Sequence, residues 1–95
     1  MNKWTVTLHP KIVKKSKELP EKVRFKLATL ANDLQQSGYI QPSWPNFGVL
    51  NKTTMAYHCH LKKGHPTYVA CWQVTNKEKK IIEVYYVGTH ENAPY

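Results

Sequence analysis

Three apolar runs separated by short polar turns occupy the part of the chain that follows Met55. The runs cover residues 57–61, 68–74 and 81–87, and each has the length of a strand and is too short for a typical helix. The turns between them are rich in Gly, Pro, Asn and Lys, which favours tight reversals. The pattern therefore predicts a meander of three antiparallel strands.

The elements that would pack on this meander lie in the N-terminal half. Residues 4–8 alternate with period two and predict a strand, and residues 11–19 predict a short basic helix. A second helix starts at Pro20 and stops at Gly38. The sequence thus predicts an α+β fold, with an N-terminal strand and a two-helix hairpin packed on a mostly antiparallel four-stranded sheet. The apolar residues that recur at helical spacing in the second helix are Val23, Leu27, Leu30, Ala31 and Leu34.

Residues 39–54, which connect the second helix to the meander, combine Pro, Gly, Asn and Thr and predict an irregular loop. Loops of this length in a small domain often have a function, and Lys52 near the end of the loop is a candidate substrate contact. The chain has 95 residues, so we expect residues 1–95 to form a single domain.

The charge of the chain narrows the choice of partner. Fourteen Lys and Arg residues against six Asp and Glu residues give a net charge of +8, which favours phosphate backbones, anionic membrane surfaces or an acidic protein. No apolar run is long enough to span a membrane, and the N-terminus does not resemble a signal peptide. Cys59 and Cys71 lie in predicted apolar strands and are expected to be buried thiols. We therefore expect a cytoplasmic protein without membrane contact.

Histidines follow the predicted sheet in a pattern that suits acid–base chemistry. His58 and His60 are two residues apart on one strand and share a face, and His90 comes directly after the last strand. An imidazole takes up and releases protons near neutral pH. RNA cleavage without a metal needs a base for the 2′-hydroxyl, a cation for the phosphate and an acid for the 5′-oxygen. The sequence offers histidines for the first and last tasks, and Lys62 and Lys63 for the second.

Tyrosines near the end of the chain can hold an unstacked base against their rings. Tyr86 in the last strand and Tyr95 at the C-terminus are candidates for this role. Both faces of the last strand are apolar, so alternation does not show whether Tyr85 or Tyr86 points inward. We expect at least one of these two to lie in the core.

A zinc site is an alternative use of the same side chains. Adjacent strand residues point to opposite faces, so Cys59 does not readily join its two histidine neighbours, and neither Cys-x-x-Cys nor His-Glu-x-x-His occurs. We therefore expect no metal and no cofactor. The residues of zinc-ligand type in this region are His58, Cys59, His60, His65, Cys71 and His90.

The order of the elements and the motifs of the last strands resemble the RelE/ParE superfamily of bacterial type II toxins. Within it, the YafQ-like and HigB-like toxins that cut messenger RNA are the most similar branch. The motifs are a strand that ends in Cys59-His60, an apolar strand at residues 68–74, and Gly88-Thr89-His90 followed by a C-terminal aromatic residue. The resemblance covers nearly the whole chain and is strongest from Tyr57 onward.

This resemblance implies a metal-independent endonuclease that cuts messenger RNA in the ribosomal A site. It also implies a cognate acidic antitoxin as partner, in a toxin–antitoxin hetero-oligomer. His60 and His90 match the general base and acid, in either order, and Tyr95 matches an aromatic residue that stacks on the substrate. The remaining residues expected to contact the substrate are His58, Lys52, Lys62, Lys63 and Tyr86.

The resemblance does not identify the cation at the transition state, because related toxins often have an arginine where this chain has Tyr86 or Val69. Two other functions remain open. One is a ParE-like toxin that inhibits DNA gyrase and cuts nothing, and the other is an RNA-binding module without catalysis. The paired histidines favour the nuclease, since a protein that only binds does not need them.

Overall fold

The computed structural model describes residues 3–95, and the first two residues of the predicted domain lie outside this part. Neither of its helices is long and apolar enough to cross a membrane. In this part the elements are β1 (Thr5–Leu8), α1 (Pro10–Ser16), α2 (Glu21–Ser37), β2 (Gly48–Asn51), β3 (Ala56–Lys62), β4 (Tyr68–Asn76), β5 (Ile81–Thr89) and a 3₁₀ turn (His90–Asn92).

The strands form one sheet in the order β1-β5-β4-β3-β2. β1 runs parallel to β5, and all other neighbours are antiparallel. The predicted α+β fold with a mostly antiparallel sheet is confirmed, and the described residues contain one strand more than expected. This strand, β2, lies within the predicted loop. It includes Gly48 and Asn51, which disfavour strands, so pairing with β3 and not propensity defines it.

One face of the sheet and both helices share a single apolar core. Side chains at every second position of β3 and β4, and of β5 as far as Val84, meet the buried side of the helices, as strand and helix periodicity require. From the helices and their connection the core contains Ile12, Leu19, Val23, Leu27, Leu30 and Leu34. From the three central strands it contains Tyr57, Cys59, Leu61, Ala70, Trp72, Val74, Ile82, Val84 and Val87.

Trp72 lies at the centre of this core and ties the long connection to the sheet. Its side chain is fully buried, and its Nε1–H donates a hydrogen bond of 3.1 Å to the Tyr39 carbonyl oxygen. Its ring stacks with Phe47 and Tyr57, at centroid distances of 6.0 and 6.5 Å. These contacts hold the chain that leads into β2 against the central strands.

The two cysteines are free thiols, and both are buried as expected. Their strands are neighbours, but Cys59 pairs with Ala70 while Cys71 pairs with His58. Cys59 therefore points into the core and Cys71 points to the opposite face, because successive residues of a strand alternate. The sheet itself separates the two sulfur atoms.

Helix α2 offers a direct test of the core. Leu30 has no exposed surface, whereas Phe25 on the same helix is 71% exposed. We expect Leu30→Ala to lower the free energy of unfolding by about 2–5 kcal/mol, because it removes buried surface and leaves a cavity. Phe25→Ala serves as the control and should change it by about 0.5 kcal/mol or less. Urea unfolding with an unchanged denaturant slope measures both values, and equal effects would contradict the described packing.

Candidate active site

The face of the sheet turned away from the helices carries the histidines of β3. His58 and His60 alternate with the core residues of that strand, so their side chains point to the opposite side. Strand pairing extends this face over β4 and β5 in two parallel rows. One row is His60, Val69 and Gly88, and the other is Gly48, His58, Cys71 and Tyr86.

A β-bulge in β5 adds a second tyrosine to this face. Tyr86 pairs with β4 on one side of the bulge, and Val84 pairs with the next residue of β4 on the other side. Tyr85, between them, has no partner on β4 and is the extra residue of the bulge. Val84 and Val87 both belong to the core, so Tyr85 and Tyr86 lie together on the opposite face. The expectation that one of them would be a core residue is wrong, because the bulge interrupts the alternation on which it rested.

The C-terminal segment folds back across the sheet towards β3. The backbone N–H of His90 donates to the Thr67 carbonyl oxygen at 2.8 Å, which ties the 3₁₀ turn to the turn before β4. From there the chain returns to His58, whose ring centroid lies 4.8 Å from that of Tyr95. The segment thereby brings two further rings over the histidines of β3.

Four side chains, His58, His60, His90 and Tyr95, form what we call the ring cluster. The centroids of His60 and His90 are 5.6 Å apart with nearly perpendicular planes, at 73°. His90 and Tyr95 are 6.0 Å apart at 89°. His90 is exposed to solvent while His60 is half-buried. The cluster therefore presents one sheltered and one open imidazole side by side.

Burial holds the two histidines of β3 in their neutral form. It lowers the pKa of His58 below the ordinary value of 6.5, and the neighbouring His60 and His90 lower it further. Burial also lowers the pKa of His60, with smaller contributions from His90 and Lys63. The Nδ1 atoms of His58 and His60 are buried and have no hydrogen-bond partner among the described residues. An unpaired buried nitrogen disfavours a protonated ring, in agreement with the direction of both shifts.

The thiol and the two neighbouring phenols of this face, those of Cys71, Tyr85 and Tyr86, are protonated at neutral pH. Burial raises the pKa of the Cys71 thiol to about 12, so Cys71 is not a nucleophile. Burial, followed by the nearby Cys71, raises the pKa of Tyr85 to about 12. Burial also raises the pKa of Tyr86, whose hydroxyl donates to the Thr89 carbonyl oxygen at 2.7 Å. Proton transfer near neutral pH is therefore left to the imidazoles.

A surface pocket of about 340 Å³ opens beside His60 and His90. Its volume is within the range of small-ligand sites. The turn between β3 and β4 forms its other wall. The lining residues are His60, Gly64, His65, Pro66, Thr67, His90 and Glu91.

The lysines expected to contact substrate are not all at this site. Lys63 is close enough to His60 to lower its pKa. Lys62 is turned to the helix side by a second bulge, after His60, and lines a groove with Phe25 and its neighbours on α2. Lys52 is exposed in the turn that precedes β3, at the end of that strand opposite to His60. The structure therefore brings Lys63 to the ring cluster and leaves Lys62 and Lys52 away from it.

Two residues outside the predicted set of site residues lie on this face. His65 lines the pocket, although its position in a polar turn gave no sign of it. The Lys15 Nζ atom lies 5.5 Å from the centroid of the Tyr86 ring, and its place within a run of lysines did not distinguish it in the sequence. Among residues 3–95, no three His, Cys, Asp or Glu side chains converge as ligands of a metal ion.

No protein-family model and no curated protein matches the sequence. Solved structures do resemble it. RelE in the archaeal RelE–RelB complex from Pyrococcus horikoshii OT3 aligns over 97% of this chain and 100% of its own, with a TM-score of 0.77 and 18% identity. A mutant of the E. coli toxin RelE in the free state aligns over 97% of this chain and 88% of its own, with a TM-score of 0.74 and 21% identity.

A second structure of isolated E. coli RelE aligns over 96% of this chain and 88% of its own, with a TM-score of 0.70 and 21% identity. At these identities the likeness is one of architecture, and it extends over nearly the full length of this chain and most of each compared chain. This chain therefore has the fold of the RelE toxins.

Proposed function

We propose that this chain is the toxin of a type II toxin–antitoxin pair and acts as a metal-independent endonuclease on messenger RNA bound to the ribosome. The observation that carries the proposal is the ring cluster, in which His60 and His90 stand 5.6 Å apart beside an open pocket. Two imidazoles at this spacing can address opposite sides of one phosphate. The RelE fold and the net charge of +8 support the same conclusion.

The partner in this proposal is an acidic antitoxin. One structure of the same fold is a complex of RelE with RelB, and the strong positive charge of this chain attracts an acidic chain. Binding in a hetero-oligomer would keep the site from messenger RNA. The proposal places the protein in the cytoplasm, where ribosomes and their messages are found.

The reaction needs no group beyond the RNA and the side chains of the site. The 2′-oxygen attacks the adjacent phosphorus, its proton passes to a base, and the bond from phosphorus to the 5′-oxygen breaks. That oxygen takes a proton from an acid. The products are a 2′,3′-cyclic phosphate and a 5′-hydroxyl, so atoms and charges balance. In-line displacement of this kind suits a base and an acid on opposite sides of the phosphate.

We assign the base to His60 and the acid to His90. Burial lowers the pKa of His60, so its ring is neutral and free to accept a proton at neutral pH. His90 is exposed and reaches the solvent from which an acid is reprotonated. Tyr95 lies against His58 and His90, where its ring can stack on a base that leaves its neighbours.

Removal of either proposed proton-transfer residue should abolish most of the activity. We expect His60→Ala and His90→Ala each to lower the single-turnover rate of cleavage of ribosome-bound message by about 10²–10⁴-fold. Both variants should also relieve the growth arrest caused by expression without antitoxin. Primer extension on programmed ribosomes measures the cleavage.

The matched control for these variants is His9→Asn. It removes a histidine that lies outside the site but keeps a side chain able to cap α1, as His9 does by accepting from the Lys11 N–H at 3.1 Å. This variant should cut at the wild-type rate. Wild-type cleavage by folded His60→Ala and His90→Ala would refute the site. Growth arrest with intact translation and blocked DNA supercoiling would instead favour a gyrase inhibitor.

The low pKa of His60 sets the pH dependence. A general base works only when it is unprotonated, and burial keeps His60 unprotonated to lower pH than an ordinary imidazole. We expect the fall in cleavage rate that accompanies protonation of the base to have its midpoint below pH 6.5, the ordinary value for an imidazole. The midpoint belongs to the coupled histidines together. An identical acidic decline in the residual activity of His60→Ala would contradict the assignment of the base.

Cleavage should also be independent of zinc. A chelator that binds zinc and spares the magnesium of the ribosome should leave the rate unchanged, because the imidazoles themselves transfer the protons. The control is a zinc-dependent enzyme treated in the same buffer. Loss of cleavage that zinc alone restores would replace the proposed mechanism with a metal-assisted one.

A further inference from the structure

We propose that Lys15, on the first helix, is a phosphate-binding residue of the site and holds the RNA strand beside the linkage that is cut. Its ammonium lies above Gly88 and next to the Tyr86 ring, on the face of the sheet that carries His60. This inference rests on the proposed nuclease function. Lys15 supplies a cation on the β5 side of this face, where β4 and β5 themselves contain no Lys or Arg.

The end of β1 explains how a helix that packs in the core can reach this face. β1 pairs with β5 only as far as Leu8 and Val84, and α1 begins two residues later. α1 then packs against β5, anchored by the buried Ile12. Lys15 is three residues beyond Ile12 and therefore shares its side of the helix. The Lys15 side chain passes over the edge of β5 to the opposite face of the sheet.

Gly88 provides the space that the lysine occupies. A Cβ atom at this position would lie 3.1 Å from the Lys15 Nζ atom and 2.7 Å from the Tyr86 hydroxyl oxygen. The second distance is shorter than real Cβ contacts, so a larger residue would have to displace one of these two groups. The Tyr86 hydroxyl is fixed by its 2.7 Å hydrogen bond to the Thr89 carbonyl oxygen. The ammonium lies 5.5 Å from the centroid of this ring, within cation–π range.

The strand register relates this cation to the proposed reaction centre. Gly88 pairs with Val69, and Val69 pairs with His60, so the lysine and the histidine stand at two ends of one row. Two interstrand spacings separate the backbone of Gly88, next to the ammonium, from the backbone of His60 by roughly 10 Å. At that separation the ammonium meets a phosphate next to the scissile one and not the scissile one itself. The exposed lysine can reach such a phosphate without entering the ring cluster.

The test compares Lys15→Gln with Lys14→Gln in single-turnover cleavage of message on programmed ribosomes. Both changes remove one positive charge from exposed positions of the same helix, but Lys14 faces away from the side that Ile12 and Lys15 share. We expect Lys15→Gln to raise the half-saturating toxin concentration roughly tenfold or more, with the rate at saturation unchanged. Its dependence on monovalent salt should be weaker by about one charge than that of Lys14→Gln. Lys15→Arg should restore most of the affinity.

The outcomes separate this inference from the function on which it rests. If the wild-type protein cuts and the two glutamine variants have the same half-saturating concentration and salt dependence, Lys15 is not a phosphate contact. A lower rate at saturation with unchanged affinity would also overturn the inference, because it would place the ammonium at the scissile phosphate. Absence of cleavage by the wild-type protein would overturn the nuclease function and this inference together. Circular dichroism spectra of the variants show whether α1 remains folded.

Discussion

The pairing of His60, Val69 and Gly88 across three strands is the constraint on which the candidate site depends. It places an imidazole at one end of a row and, at the other end, a glycine that leaves room for a lysine. Side chains alternate along each strand, so a slip of one residue would turn His60 into the apolar core. The core packing around Trp72 therefore also fixes the geometry of the opposite face.

The electrostatics of the site follow from the same arrangement. Burial against the sheet lowers the pKa of His58 and His60, so these rings carry no fixed charge at neutral pH. Positive charge for a phosphate backbone must then come from the margins of the face. Lys63 lies near His60 on one side, and Lys15 lies over Tyr86 on the other. In the proposed function, these two cations can hold RNA while the base, His60, stays unprotonated.

The fold class and the centre of the site could be predicted because both follow from regular spacing. The period of two along β3 places His58 and His60 on one face, and the apolar runs define the three central strands. What could not be predicted depends on irregular backbone. The bulges near Lys62 and Tyr85 each shift the alternation by one residue, and no residue type marks them in the sequence. Lys15 reaches the site only because β1 ends early, which is a property of tertiary structure.

The two faces of the sheet are under different physical constraints. This explains how the chain keeps the RelE fold at sequence identities near 20% to the RelE structures. The helix face must exclude water and fill space, which many combinations of apolar residues achieve. On the opposite face, the exposed side chains lie outside that core, so these can change with small effects on stability. Its chemistry is therefore set by a few side chains and by the register that aligns them. The fold alone therefore leaves several functions open, and the proposed one depends on the ring cluster and Lys15.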